Sequence, residues 1–307
     1  MIFNDLDFID NLPLDAYAKH FGSLQKSKYT SRLFRSNMML NPLRLKHLNR
    51  IDDLEADVIT LNLEDAIAPS RKKEALYNIA LFLSHLQESK SFIVIRTNPL
   101  GEGGEEEITF LNDFGFDAIR IAKIKTPTQI ALALTLLSPD KELHISLETK
   151  EAFYGLRGLR IDERLTMANI GILDLLSSLG LPQSLVQQGN PTIDHILSKF
   201  LVDAKSVGIR PVSFMFQDYN DTETFRRWCE HEKMMGFESK ACMGPAQVAI
   251  ANDIFGLSPE AVKRAEHIKR VFEENAAKGI NGFMDDKYGF IDEPIYRDAL
   301  LILNVKC

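Results

Sequence analysis

Glu64 and Asp65 stand side by side where an apolar run ends, in "VITLNLEDAIAPSRKKEA" at 58–75. Ionised groups are costly to bury unpaired, so two acids at the inner end of a buried strand require a compensating cation. Comparable junctions recur along the chain. Arg96 falls in "IRTNPLG", Lys123 and Lys125 in "IAKIKTP", Glu148 in "SLETKEAF" and Asp174 in "NIGILDLLSSLG". Carboxylate oxygens without a His or Cys cluster select a hard cation such as Mg²⁺. Magnesium commonly takes one or two carboxylates and completes its shell with water and substrate. Glu148 and Asp174 can supply those two, and Arg96 can then polarise a carboxylate or carbonyl of the same substrate.

The elements that must position these residues are short, β-rich apolar runs: "NMML" (37–40), "VITLNL" (58–63), "FIVIRT" (92–97), "AIRIAKI" (118–124), "LHISLE" (143–148), "LTMANIGI" (165–172), "PVSFMF" (211–216) and "SKACM" (239–243). Segments of helical spacing, such as "SRKKEALYNIALFLSHLQE" and "NPTIDHILSKFLVDAKSVG", separate most of them. Strands alternating with helices imply βαβ units and a parallel sheet, and continuous apolar runs imply burial on both faces. Eight such strands favour an α/β fold closed into a (β/α)8 TIM barrel, at 31–257. Residues 1–30 form an N-terminal helical appendage and 258–307 a C-terminal helix and lid segment. In a parallel barrel the carboxyl ends of the strands converge on one face, which collects the charged junctions there.

Composition narrows the function. A formal charge of −7 with no basic stripe argues against nucleic acid as a partner, and no apolar run approaches a membrane span. Three cysteines without CxxC spacing argue against a disulfide framework or a zinc site and fit a cytoplasmic protein. The acidic, interrupted N-terminus does not read as a signal peptide. No GxGxxG or Walker motif follows a strand. "GEGGEEE" (101–107) ends in acids that would repel a phosphate, and reads as a flexible loop over the site.

In ordered motifs over roughly residues 31 to 303, the sequence resembles the citrate lyase β subunit and malyl-CoA lyase family, which includes related 2-keto-acid aldolases. "RSNMMLNP" is similar to the family's opening Arg-Ser strand, "LNLEDAIAPSRKKEA" to its Asp-Leu-Glu-Asp-Ala-Val segment and "VIRTNPLG" to Val-Arg-Ile-Asn. "ISLETKEAF", "IGILDLLSSLG", "MGFESKACMGPAQVAIANDIFGLS" and "GFMDDKYGFIDEPIYRDALLIL" are similar to its later motifs, in the same order. The resemblance implies a barrel that assembles into homotrimers or homohexamers and binds Mg²⁺ directly through Glu148 and Asp174. It places Glu64 and Asp65 behind them, holding metal-bound waters. Arg96, with Arg35 and Lys125, becomes a substrate-binding residue. Asp292, on a C-terminal segment covering a neighbouring subunit's site, becomes the acid or base that moves a proton. The implied reaction makes or breaks a carbon–carbon bond in a β-hydroxy acyl-CoA thioester or a related oxo-acid, through an enolate. Three positions depart from the pattern: the first strand lacks the aromatic-Val-Pro-Gly ending, Asn62 replaces the first Asp, and Gly244 replaces a His.

Each junction has a plainer alternative. Glu148, Asp174, Glu64 and Asp65 can cap the helices that follow, and Arg96 can form an ion pair beneath the mouth. Acids nearby would raise a lysine pKa, which argues against a Schiff-base lysine. Cys242 fits core packing and His144 a structural role. Two rival functions remain: an aldolase of free 4-hydroxy-2-oxo acids, and a non-catalytic barrel that binds a ligand or partner.

Overall fold

The computed structural model describes residues 1–10, 12–31 and 33–306. Two compact units divide the chain: Met1–Tyr29 with Phe34–Phe255, and Thr30–Leu33 with Gly256–Cys307. In the first, eight parallel strands form one sheet: β1 (Ser36–Leu40), β2 (Val58–Asn62), β3 (Phe92–Thr97), β4 (Ala118–Ile121), β5 (Glu142–Leu147), β6 (Leu165–Ile170), β7 (Arg210–Val212) and β8 (Lys240–Cys242). Their order is β7-β6-β5-β4-β3-β2-β1-β8, so β1 lies between β2 and the last strand. A bridge from Ser213 to Lys240, with Ala241 N–H donating to the Ser213 carbonyl at 3.1 Å, draws β7 against β8. The eight runs read from the sequence are these eight strands of a nearly closed α/β barrel.

Burial explains the runs. Every residue of β2, β3 and β4 is buried, since one face of the sheet packs inside the barrel and the other under helices. The helices of this unit are α1 (Asp7–Asp10), α2 (Leu45–Leu48), α3 (Lys72–Ser84), α4 (Gly104–Leu111), α5 (Pro127–Leu136), α6 (Lys150–Leu159), α7 (Ile172–Ser178), α8 (Pro191–Ser206), α9 (Thr222–Met235) and α10 (Pro245–Ile254). Several start on a capping side chain before the first turn: Thr126 for α5, Thr149 for α6, Asn190 for α8 and Asp221 for α9. Of these, Thr149 stands two residues after β5, so its cap fixes the turn that carries Glu148. Three of the four acids of "GEGGEEE", Glu105 to Glu107, lie in the first turn of α4 rather than in the turn before it, which keeps Glu102, and Glu105 accepts from Gly101 N–H at 2.9 Å.

The described residues of this unit before Thr30 pack on the outside of the barrel. Phe3 meets Phe82 edge-on at 5.0 Å, and the buried Tyr17 hydroxyl donates to Asn78 Oδ1 at 2.7 Å. The second unit holds α11 (Pro259–Ala276), an antiparallel hairpin of β9 (Gly282–Asp285) and β10 (Gly289–Asp292), and α12 (Glu293–Lys306). Its core gathers Ala265, Ile268, Phe272, Ile291 and Ala299. Among the described residues no helix is long and apolar enough to cross a membrane. Cys229 and Cys242 are buried and unpaired, and burial pushes the Cys242 thiol up, as core packing requires. Cys307 lies outside the described residues.

Candidate active site

A cavity of about 300 Å³ is lined by Asp65, Arg96, Arg120, Glu148 and Asp174 among others, with residues from the three remaining strands β1, β7 and β8 or the turns after them. Four residues singled out in the sequence therefore meet at one face, and Glu64 lies directly behind them.

Glu148 follows the last residue of β5 and is 3% exposed. Its Oε1 accepts from Lys123 N–H at 2.8 Å, and its Oε2 lies 3.2 Å from Arg96 Nη2. Thr149, not Glu148, caps α6: its Oγ1 accepts from Ala152 N–H at 3.2 Å and donates to the Ile124 carbonyl at 2.8 Å. The capping alternative for Glu148 is thereby taken by its neighbour. Gly171 caps α7 without a side chain, leaving Asp174 in the first turn. A Cβ on Gly171 would come within 2.8 Å of Glu148 Oε2, so glycine makes the room this carboxylate occupies.

Arg96, the fifth residue of β3, pairs with Glu64 at 3.0 Å as well as with Glu148. Glu64 also takes Lys123 Nζ at 2.8 Å, which lies 3.8 Å from Asp65. Burial alone would push Glu64 up, but the Asp65 hydrogen bond, the Arg96 guanidinium and the Lys123 ammonium hold it down at about 2. Burial, then the hydrogen bond and charge of Glu64, pushes Asp65 up to about 6. The adjacent acids thus divide into a fixed anion and a group that titrates near neutrality. The hydrogen bond to Glu64 raises Lys123, as the acid cluster predicts, and this disfavours a Schiff-base lysine. Ala66 (φ 71°) and Lys123 (φ 53°) are the non-glycine residues with left-handed backbone among those described, and both border this cluster. Backbone strain gathered at a charged cavity is characteristic of functional sites.

Two predicted substrate-binding residues lie elsewhere. Arg35 precedes β1, at the opposite end of a parallel strand from the mouth, and binds Asp57 through Nε and Nη2 at 2.8 and 2.9 Å. It ties the barrel's floor together. Lys125 is exposed beyond β4, its N–H donating to Gln129 Oε1 at 2.8 Å; Lys123 takes the place expected of it. Asp292 ends β10 in the second unit, where its Oδ1 accepts from Ile295 N–H at 3.2 Å and caps α12. The strand-end reading missed Arg120 in "AIRI" and Asn169 in "LTMANI", polar interruptions inside buried runs that alone could have exposed them.

Hard oxygen donors dominate the acidic side of the cavity. Among the described residues no three His, Cys, Asp or Glu side chains already form a metal cluster. Glu148 and Asp174 suit a cation that takes two carboxylates and leaves its other positions to water and substrate. A second cavity of about 440 Å³ shares Met39, Asn62, Ala66, Met215 and Met243 with the first and adds Arg44, His47 and Arg50. Gly244 also lines it, where the resembled family carries a His.

The sequence model of the HpcH/HpaI aldolase/citrate lyase family matches residues 38–245. The chain belongs to this family. As the motifs implied, it is an enzyme of the carbon–carbon lyase class. It is 29% identical over 250 residues, 80% of this chain and 85% of the relative, to (3S)-malyl-CoA thioesterase of Cereibacter sphaeroides. Mitochondrial citramalyl-CoA lyase of Mus musculus is 23% identical over 95% of this chain and 91% of its own. Among solved structures, protein CitE from Mycobacterium tuberculosis in complex with magnesium, acetoacetate and coenzyme A superposes with a TM-score of 0.65 at 18% identity, covering 88% of this chain and 97% of its own.

Proposed function

We propose that the protein is a Mg²⁺-dependent lyase that cleaves or forms a carbon–carbon bond in a β-hydroxy acyl thioester of coenzyme A, with a 2-oxo acid as the other partner. The observation that carries this is the meeting of Glu148 and Asp174 in one cavity, with Arg96 paired to Glu148. The acyl-CoA activities named for its relatives, and the magnesium and coenzyme A of the solved neighbour, support the same reading.

Glu148 and Asp174 would hold the cation, with Glu64 and Asp65 behind them holding its waters. A bound Mg²⁺ would supply Lewis-acid polarisation of the oxo-acid oxygens. Arg96 orients the oxo-acid carboxylate and stabilises negative charge on it. In cleavage the substrate hydroxyl gives up its proton and becomes the oxo group. The electron pair of the breaking C–C bond passes to the thioester α-carbon, which then takes a proton. Asp292, brought by a neighbouring subunit of a homotrimer or homohexamer, is assigned that proton on the resemblance. The second cavity's Arg44, His47 and Arg50 give the phosphate-bearing carrier a cationic rim beside an apolar wall.

Incubation with malyl-CoA, citramalyl-CoA and citryl-CoA, with Mg²⁺ or with EDTA, tests the proposal. Metal-dependent release of the matching 2-oxo acid, glyoxylate, pyruvate or oxaloacetate, together with an acyl-CoA is expected. Calorimetric Mg²⁺ titration of Glu148→Ala should show affinity at least about 100-fold weaker than wild type, beyond the usual cost of losing an outer partner. Release of free thiol instead would favour the thioesterase activity named for one relative. Turnover of free 4-hydroxy-2-oxo acids alone would remove the thioester from the proposal. Failure of the wild type to bind Mg²⁺, even with an oxo acid present, would overturn it.

A further inference from the structure

Arg120 projects from β4 into the same cavity and is 3% exposed. Its register partner on β3 is Arg96, so two guanidinium groups stand on neighbouring strands. Their surroundings differ. Arg96 is held between Glu64 and Glu148 at 3.0 and 3.2 Å. Among the described residues Arg120 has no ion-pair partner, and its Nε makes no hydrogen bond. Burial, and then the charge of Arg96, pushes Arg120 down to about 9 against the opposing pull of the Glu148 and Glu64 carboxylates, still protonated at neutral pH. A buried charge without a partner is among the most costly features a fold can keep.

The groups around it share the deficiency. Both amide atoms of Asn169, on β6, lack partners at 7% exposure. So does the amide nitrogen of Asn37, on β1, at 2% exposure. Both residues line the cavity with Arg120, and Asn169 pairs in register with Ser146 on β5, one layer below the strand ends that carry Glu148 and Asp174. Thr60 Oγ1 donates to Asn37 Oδ1 at 2.8 Å, which turns the free amide N–H groups of Asn37 to other use. The rim of the cavity is therefore anionic and suited to a cation. The layer below it offers the Arg120 guanidinium, the Asn37 amide N–H groups and the Asn169 amide, none with a hydrogen-bond partner for these atoms.

We infer that Arg120, with Asn37 and Asn169, forms a subsite for a second carboxylate on the substrate, so that the oxo acid handled here is a 2-oxo dicarboxylate. The inference rests on the lyase reading of the cavity only for which end of the substrate faces Arg96. The unpaired donors accept an anion whether or not a carbon–carbon bond is cleaved. Arg120 acts here as a specificity-determining residue.

Matched ligand pairs test this by calorimetry on the full-length protein with Mg²⁺, where no turnover is needed. 2-Oxoglutarate and 2-oxopentanoate have the same chain length and differ only in a terminal carboxylate or methyl; oxaloacetate and 2-oxobutanoate form a shorter pair. The wild type should bind the dicarboxylate of at least one pair about 10- to 100-fold more tightly, the range of a charge-assisted hydrogen bond. Arg120→Met should abolish that preference and leave the monocarboxylate within about threefold. Arg120→Lys should restore part of it. Ligand-free Arg120→Met should also melt higher than wild type, because it removes an uncompensated buried charge, whereas a purely structural arginine would lower the melting temperature. Equal affinity of the wild type for both members of each pair would overturn the inference, as would equal loss of both ligands in Arg120→Met. Preference retained without thioester cleavage would sink the proposed function and leave the subsite standing; cleavage without preference would do the reverse.

Discussion

At the scale of single residues, two identical charges in sequence become two different groups in the fold. Glu64 is clamped by Arg96 and Lys123, while Asp65, 60% exposed at its side chain, keeps a proton to about pH 6. The unfolded chain releases the Asp65 proton near 3.8 and the folded one only near 6, so this residue makes stability fall as pH rises through that window. Glu64 does the opposite lower down: its contribution is complete above 4.5 and is lost as pH falls towards 2. Without added metal, a melting-temperature profile should therefore decline from about pH 4 to pH 6.5, and Asp65→Asn should flatten that decline while leaving the acid limb. An unchanged slope in Asp65→Asn would show that Asp65 is not the group titrating there. The doublet was legible as a site because both acids end an apolar run. Its division of labour was not, since it depends on Arg96 and Lys123 arriving from other strands.

At the scale of elements, strand direction decided what could be read. Glu148, Asp174 and Arg96 were found by reading strand ends, because parallel strands deliver their carboxyl ends to one face. Arg35 shows the same rule in reverse: it precedes β1, so direction alone places it at the floor with Asp57. Lys123 and Lys125 alternate with apolar residues, the pattern of one strand face, but β4 ends at Ile121 and the left-handed turn at Lys123 brings its ammonium back over Glu64. Alternation stops applying where the strand stops. The turn between β6 and α7 carries its own test. Gly171→Ala puts a methyl 2.8 Å from Glu148 Oε2, which must move or be displaced. A cost of about 1–3 kcal/mol in urea denaturation is expected from such overpacking, with Mg²⁺ affinity falling about 10- to 100-fold. Thr149→Ala, by contrast, removes a helix cap and should cost about 1 kcal/mol.

At the scale of the whole molecule, the barrel's weakest seam lies between β7 and β8, each three residues long and joined through Ser213. A charged pair sits at this seam. Lys240, the first residue of β8, reaches Glu232 of α9 at 2.6 Å, and both side chains are fully buried. The ammonium also lies 3.6 Å from the centre of the Phe214 ring, where the aromatic face offsets part of its desolvation. The pair is not legible in the sequence, because Glu232 is eight residues earlier on a helix and nothing local marks it as the partner of Lys240. Buried ion pairs recover their desolvation cost only when both members remain. Glu232→Leu or Lys240→Met alone should therefore destabilise the protein by about 3–5 kcal/mol, since each strands the opposite charge in the core. The double replacement should return to within about 1–2 kcal/mol of wild type, because it leaves an apolar seam against Phe214 and Trp228. Urea denaturation of the two single variants and the double variant closes this cycle. Additive losses would mean that the pair does not hold the seam, and that the Ser213 bridge and the packing of α9 close the barrel without it.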